Sequence, residues 1–225
     1  MTAWASAYQQ TCTDGADALS YYTMYPTVHP DWRIPPAVPT LDEGQVDIWR
    51  IPLDTPATAH ADAHQALAVI LAAYLGLPPG HLTIARPPGG KPVLEGVDPA
   101  IDFNLSHTRG IALLALTGSG QVGVDVEAQR RLDNPLRLAR RVLSGDELSV
   151  LEGLHGAQRL ARFLDLWTRM EARQKALGRG IFADPVDPGS LTCLGLTMDP
   201  GLFASVALSP PRGDLHLRYF DYRHP

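Results

Sequence analysis

Asp125 and Glu127 stand two residues apart in the run Val122-Gly-Val-Asp-Val-Glu127. Glu171 and Lys175 stand four apart in the run Trp167-Thr-Arg-Met-Glu-Ala-Arg-Gln-Lys175. Side chains alternate along a strand, so the two acids of the first run share one face while Val124 and Val126 turn to the other. Ahead of the second run, Leu160, Phe163, Leu164 and Trp167 recur at helical spacing. Glu171 continues that apolar stripe, and Lys175 stands one turn beyond it. A carboxylate on a buried stripe must be paired or bound to a metal. Three carboxylates beside an ammonium suit a magnesium-bound pyrophosphate, because magnesium prefers oxygen ligands and shares its shell with phosphate and water. Each run alone has a plainer description: a strand with one solvated face, and a surface Glu–Lys pair worth about 0.3–0.5 kcal/mol. The surface pair explains the spacing of Glu171 and Lys175 but not the acid's place on the apolar stripe.

The elements that must position these groups are legible in outline. Residues 46–51 alternate polar and apolar side chains and read as a strand. An alanine- and leucine-rich helix over 61–75 ends at Gly76, with Pro78-Pro79 blocking its continuation. Residues 101–105 and 111–116 read as strands, the second almost wholly apolar and so central. Gly118-Ser-Gly120 is a turn, which predicts that 122–127 forms the hairpin partner of 111–116. Helices follow over 135–142, 145–154 and 158–177, the second opened by a Ser144/Glu147 capping box and the third closed by Gly178. Strands over 191–197, 203–208 and 215–222 complete the chain. Arg86 to Pro92 is a loop. The proline- and aromatic-rich residues 1–45 read as an extended arm packed on the body.

The bulk numbers narrow the function classes. A chain of 225 residues, 45% hydrophobic and 19% charged, has the composition of a soluble globular protein with a substantial core. Its formal charge of −5 excludes the basic footprint of a general nucleic-acid binder. The absence of long apolar runs and of a signal-like amino terminus gives no membrane span and a cytoplasmic expectation. Cys12 and Cys193 have no metal-ligand spacing around them and read as free thiols. Among nineteen basic residues only Lys91 and Lys175 are lysine, which singles both out.

Taken together, the two acidic runs resemble the signature of the 4′-phosphopantetheinyl transferases of the surfactin-synthetase-activating type. Asp125, Glu127, Trp167, Thr168, Glu171, Ala172 and Lys175 match it. Upstream, Gly90-Lys91-Pro92 and Asn104-Leu105-Ser106-His107 match in the same order. The resemblance spans about residues 46 to 210. It implies an α/β (α+β) fold of two pseudo-symmetric halves, each a small sheet packed with a long helix. The halves would cover 46–118 and 119–225, meeting near residues 117–122 behind the 1–45 extension, with the active site between them. It also implies that the arm of coenzyme A moves to a serine of an apo acyl or peptidyl carrier protein, with Mg2+ as cofactor and adenosine 3′,5′-bisphosphate as by-product. Asp125, Glu127 and Glu171 would hold the metal, and Glu171, or a water it orients, would also take the serine proton. Lys91, Ser106, His107 and Lys175 would contact coenzyme A, His107 near the phosphate on its ribose. The resemblance further implies a monomer.

Two positions depart from the pattern. Met170 replaces a lysine of the family, and Ala68 in the first helix replaces an arginine found in many relatives. Both changes remove positive charge from an anion site. Arg173 is three residues after Met170, on nearly the same helical face, and is the expected substitute contact for coenzyme A. Arg130, Arg131, Arg137, Arg140 and Arg141 form a basic cluster suited to docking an acidic carrier. The lost cations leave open a non-catalytic homologue that binds coenzyme A or a carrier. A magnesium-dependent phosphohydrolase is a third reading.

Overall fold

The computed structural model describes residues 26–87, 90–96, 101–180 and 182–223. The expectations for residues 1–25, including the Cys12 thiol, lie outside them; Cys193 is a free thiol. The fold is mixed α/β. Strand β1 is Thr27–Val28, β2 Gln45–Pro52, β3 Thr83–Ala85, β4 Val93–Glu95, β5 Asp102–Thr108, β6 Ile111–Thr117 and β7 Gln121–Ala128. Strand β8 is Thr192–Leu196, β9 Leu202–Ser209 and β10 His216–Asp221. Helix α1 is Ala59–Leu75, α2 Pro135–Val142, α3 Gly145–Glu152 and α4 Gly156–Ala176. The strands form one four-stranded sheet of order β10-β2-β6-β5, a second of order β1-β8-β9-β7, and the small β3-β4 pair.

Each large sheet carries one long helix. Helix α1 buries Ala63, Ala66, Leu67, Ile70 and Leu71 against Trp49, Ile51, Phe103, Leu114 and Leu116 of the first sheet. It ends at Gly76, whose left-handed backbone closes the last turn. The opposite face of that sheet, with Val46, Ile48, Leu113 and Ala115, packs on Val122, Val124, Val126, Val206 and Leu208 of the second sheet. Helix α4 covers the far side of the second sheet, where Ala172 and Ala176 meet Ala207. Ser144 and Glu147 form the expected capping box at the start of α3.

Residues 122–127 do form a strand, but not the expected hairpin with β6. The wholly buried β6 is flanked by β2 on one edge and β5 on the other, so it has no free edge to offer. β7 instead pairs antiparallel with β9, with Asp125 opposite Ser205 and Glu127 opposite Phe203. The described part of the amino-terminal arm is tied to the body. β1 runs parallel beside β8, and the buried Arg169 guanidinium donates to Thr27 Oγ1 at 3.0 Å and to the Pro26 carbonyl at 3.3 Å. Trp32 packs edge-on against Tyr219, their ring centroids 5.6 Å apart. No described helix is long and apolar enough to cross a membrane.

Candidate active site

The seam between the sheets is built from side chains. β7 is an edge strand, and an edge leaves backbone N–H groups that need acceptors. The amides of Val122, Val124, Val126 and Ala128 donate in turn to Asp102, Asn104, Ser106 and Thr108 of β5, at 2.6, 2.9, 3.4 and 3.2 Å. Every second residue of one strand thus meets every second residue of the other, a ladder with one side-chain rail. It fixes the register of β7, and so the height at which Asp125 and Glu127 stand. Ser106 links the ladder to the acids by donating to Asp125 Oδ1 at 2.8 Å.

On the same face of β7 as the acids, Gly123 sets the distance to the helix. A Cβ at that position would lie 2.1 Å from the Ala172 carbonyl oxygen and 2.4 Å from the Ala176 nitrogen. Only glycine lets α4 rest directly on the strand backbone. That contact brings Glu171 and Lys175 over Asp125. One carboxylate oxygen from each of Asp125, Glu127 and Glu171 lies within 4.8 Å of the others. Lys175 Nζ reaches Asp125 Oδ1 at 2.5 Å, Glu171 Oε2 at 3.1 Å and Ser106 Oγ at 3.2 Å. Asp125 is 2% exposed, and its Oδ2 has no hydrogen-bond partner among the described residues. A buried carboxylate oxygen without a donor is costly. Bridged acids with such an oxygen fit an oxygen-seeking divalent cation, so the donor set suits magnesium.

The electrostatics agree with this fit. Burial raises the Glu171 pKa to about 7 from its ordinary 4.5. The Asp125 charge adds to that rise, and Lys175 opposes it. Burial also raises Glu127, again helped by Asp125 and opposed by Arg130 and Lys175. Burial disfavours the charge on Lys175, yet Asp125 and Glu171 outweigh it and its pKa goes up. Burial and the neighbouring carboxylate charge thus both oppose ionisation of Glu127 and Glu171.

The other expected site residues separate into two groups. Lys91 stands at the same seam: its Nζ pairs with Asp102 and donates to the Val122 carbonyl at 2.6 Å. With Gly90, Pro92, Asn104, Lys175 and Arg179 it lines a cleft of about 190 Å³. His107 is exposed on β5 beside His60 of α1. Arg173 is not brought to the acids. It is buried and faces Glu147 of α3 at 3.7 Å. It and Met170 line a separate cavity of about 290 Å³. Residue 173 is two places from Glu171, about 200° around the helix at 100° per residue. Met170 packs among Ala139, Val142, Phe163 and Leu166, so its face belongs to the core between α2 and α4. Sequence reasoning missed Asp102, although polar residues at 102, 104, 106 and 108 alternate along the strand. Arg179 also went unnoticed, because it falls beyond the helix in a turn.

The 4′-phosphopantetheinyl transferase superfamily matches residues 121–197, which hold all three acids and Lys175. The chain is 30% identical over 221 aligned positions to the 4′-phosphopantetheinyl transferase HetI of Nostoc sp., spanning 79% of this chain and 93% of the relative. It is 40% identical over 89 positions to the transferase AcpT of Salmonella typhimurium, spanning 40% and 46% of the two chains. A 4′-phosphopantetheinyl transferase of Bacillus subtilis is 29% identical over 126 positions, spanning 53% and 54%. With nearly the whole length of one relative covered, the chain belongs to the 4′-phosphopantetheinyl transferase superfamily, a family of transferase enzymes.

Proposed function

We propose that this protein moves the 4′-phosphopantetheine arm of coenzyme A onto a serine of an acyl or peptidyl carrier protein, with Mg2+ as cofactor. The observation that carries this reading is the meeting of Asp125, Glu127 and Glu171 within 4.8 Å beside Lys175. Phosphoryl transfer depends on alignment and charge neutralisation, and needs no covalent intermediate on the protein. The serine oxygen forms a bond to the phosphorus that bears the pantetheine. The bond from that phosphorus to the bridging oxygen breaks, and adenosine 3′,5′-bisphosphate leaves with the electron pair.

Asp125, Glu127 and Glu171 would hold the magnesium, which when bound neutralises charge on the pyrophosphate. Glu171, or a water it orients, takes the serine proton. Lys175 is already fixed by three partners and presents its ammonium to the phosphates as a point charge. Lys91 and Arg179 line the adjoining cleft with the same sign of charge. Ser106 holds Asp125 in place. The protein works as a monomer in this reading.

The test is incubation with magnesium, coenzyme A and a panel of apo carrier proteins, followed by mass measurement of the carriers. A mass gain of one phosphopantetheine group is expected. Binding of coenzyme A with no gain on any carrier would leave a non-catalytic homologue. Release of phosphopantetheine without carrier would mark a phosphohydrolase.

A further inference from the structure

Arg169 sits two residues before Glu171 on α4, about 200° around the helix from it at 100° per residue. It is 1% exposed, and its guanidinium donates to Asp165 Oδ1 at 3.1 Å, Thr27 Oγ1 at 3.0 Å and the Pro26 carbonyl at 3.3 Å. Strand β8 leaves room for it: a Cβ on Gly195 would lie 2.3 Å from the guanidinium nitrogen that reaches Thr27. The neighbouring Thr168 hydroxyl meets Ser205 Oγ of β9 at 3.0 Å, and Ala172 and Ala176 rest on Gly123 of β7. Helix α4 thus crosses the second sheet from β7 to β1. The contact with Gly123 sets how closely the helix lies on the sheet. The Arg169 contact, at the sheet edge farthest from β7, sets its rotation about its own axis.

The arm that receives Arg169 is also held at its other end. The Arg33 amide donates to the Tyr219 carbonyl at 3.0 Å, and the Arg33 carbonyl accepts from the Asp221 amide at 2.9 Å. Arg50, paired with Asp221 at 2.7 Å, lies over the Trp32 ring at 4.7 Å. Residues 27–33 therefore join the outer edge of β8 to that of β10, while the ladder joins β5 to β7 at the opposite edges.

We propose that Arg169 is a positioning residue for the acidic centre: seated on the arm through Pro26 and Thr27, it sets the rotation of α4 that holds Glu171 and Lys175 over Asp125. This rests on the magnesium-binding reading given above. A buried guanidinium that loses acceptors must find others or reach water. The helix rolls to let it, and because a helix turns as one body, Glu171 leaves its place too. A lysine is no substitute, since a single ammonium cannot fork between Asp165 and the arm.

The test is calorimetric titration of the full chain with magnesium alone, beside melting curves, for the parent, Arg169→Gln, Thr27→Val and Thr27→Ser. Magnesium affinity should fall on the order of tenfold in Arg169→Gln and about threefold in Thr27→Val. Thr27→Ser keeps the hydroxyl and should bind as the parent does. Thr27 is exposed, so its variants decide the matter even if Arg169→Gln does not fold. Thr27→Val that melts earlier but binds magnesium as tightly as the parent overturns the inference and leaves the metal site standing. A loss in Thr27→Ser as large as in Thr27→Val does the same, since the hydroxyl would then not be what seats Arg169. A parent protein that binds no magnesium removes the metal reading, and the inference with it.

Discussion

Glu171 is the residue whose environment makes the most specific demand. Its pKa of about 7, against an ordinary 4.5, means that the folded metal-free protein holds a proton there that the unfolded chain has released. The stability linked to it is fully present below about pH 4.5 and is lost as pH rises through about 7. Glu127 shifts in the same direction. A bound divalent cation must displace that proton, so magnesium should raise the melting temperature more at pH 8 than at pH 6. In Glu171→Gln both the metal effect and its pH dependence should largely disappear. Melting curves across pH, with and without magnesium, check this. Equal stabilisation at both pH values would mean that Glu171 is not a ligand. The convergence of this residue with Asp125 and Glu127 was legible in the chain, because strand alternation and a helical stripe are local rules that both aim at the cleft. The place of Arg173 was not. The three-residue step from Met170 is right for the helix, but both side chains face α2 and α3, and only the packing partners reveal which face meets the acids.

At the scale of elements, two contacts position the site: α4 lying on Gly123, and the β5 side chains that receive the β7 amides. Gly123→Ala puts a methyl group into the helix backbone, so α4 must lift. A cost of about 1–3 kcal/mol is expected from such overpacking, together with weakened magnesium binding as Glu171 and Lys175 move off Asp125. Denaturant midpoints and magnesium titration measure the two effects. A variant with parent-like metal affinity would separate the helix contact from the site. In the ladder, Asn104→Ala leaves the buried Val124 N–H without its acceptor and should cost about 1–3 kcal/mol. Thr108→Ala, at the more open end beside Ala128, should cost less, since water can take over there. The strands themselves were readable from alternation and turn residues. Their pairing was not, because the turn at 118–120 suggested a local hairpin. β6 is already flanked on both sides, and β7 finds its partner in a strand about eighty residues later. Such a non-local pairing leaves no short-range mark in the sequence.

For the whole molecule, the arrangement is two sheets, each with a long helix, packed face to face so that one seam collects the acids, both lysines and the ladder. The exposed arginines of α2 lie on the second-sheet side of this seam. Arg140 pairs with Glu152 at 2.9 Å, and Arg141 lies over the exposed Phe182 ring at 4.8 Å. If this face docks an acidic carrier, Arg140→Ala with Arg141→Ala should weaken carrier binding roughly tenfold at low salt. The loss should shrink as salt rises, with coenzyme A affinity unchanged. Binding titrations over a salt series check it, and a change in coenzyme A affinity alone would count against docking. The central claim is that the three acids at the seam form a magnesium site that transfers phosphopantetheine. Its most direct test is the rate of apo-carrier mass gain for the parent and Glu171→Gln, each with magnesium and with chelator. Transfer by the parent is expected only when magnesium is present, with a rate at least about a hundredfold lower in the variant, as loss of a base and ligand implies. Transfer that is indifferent to chelator, or a variant as fast as the parent, would contradict it.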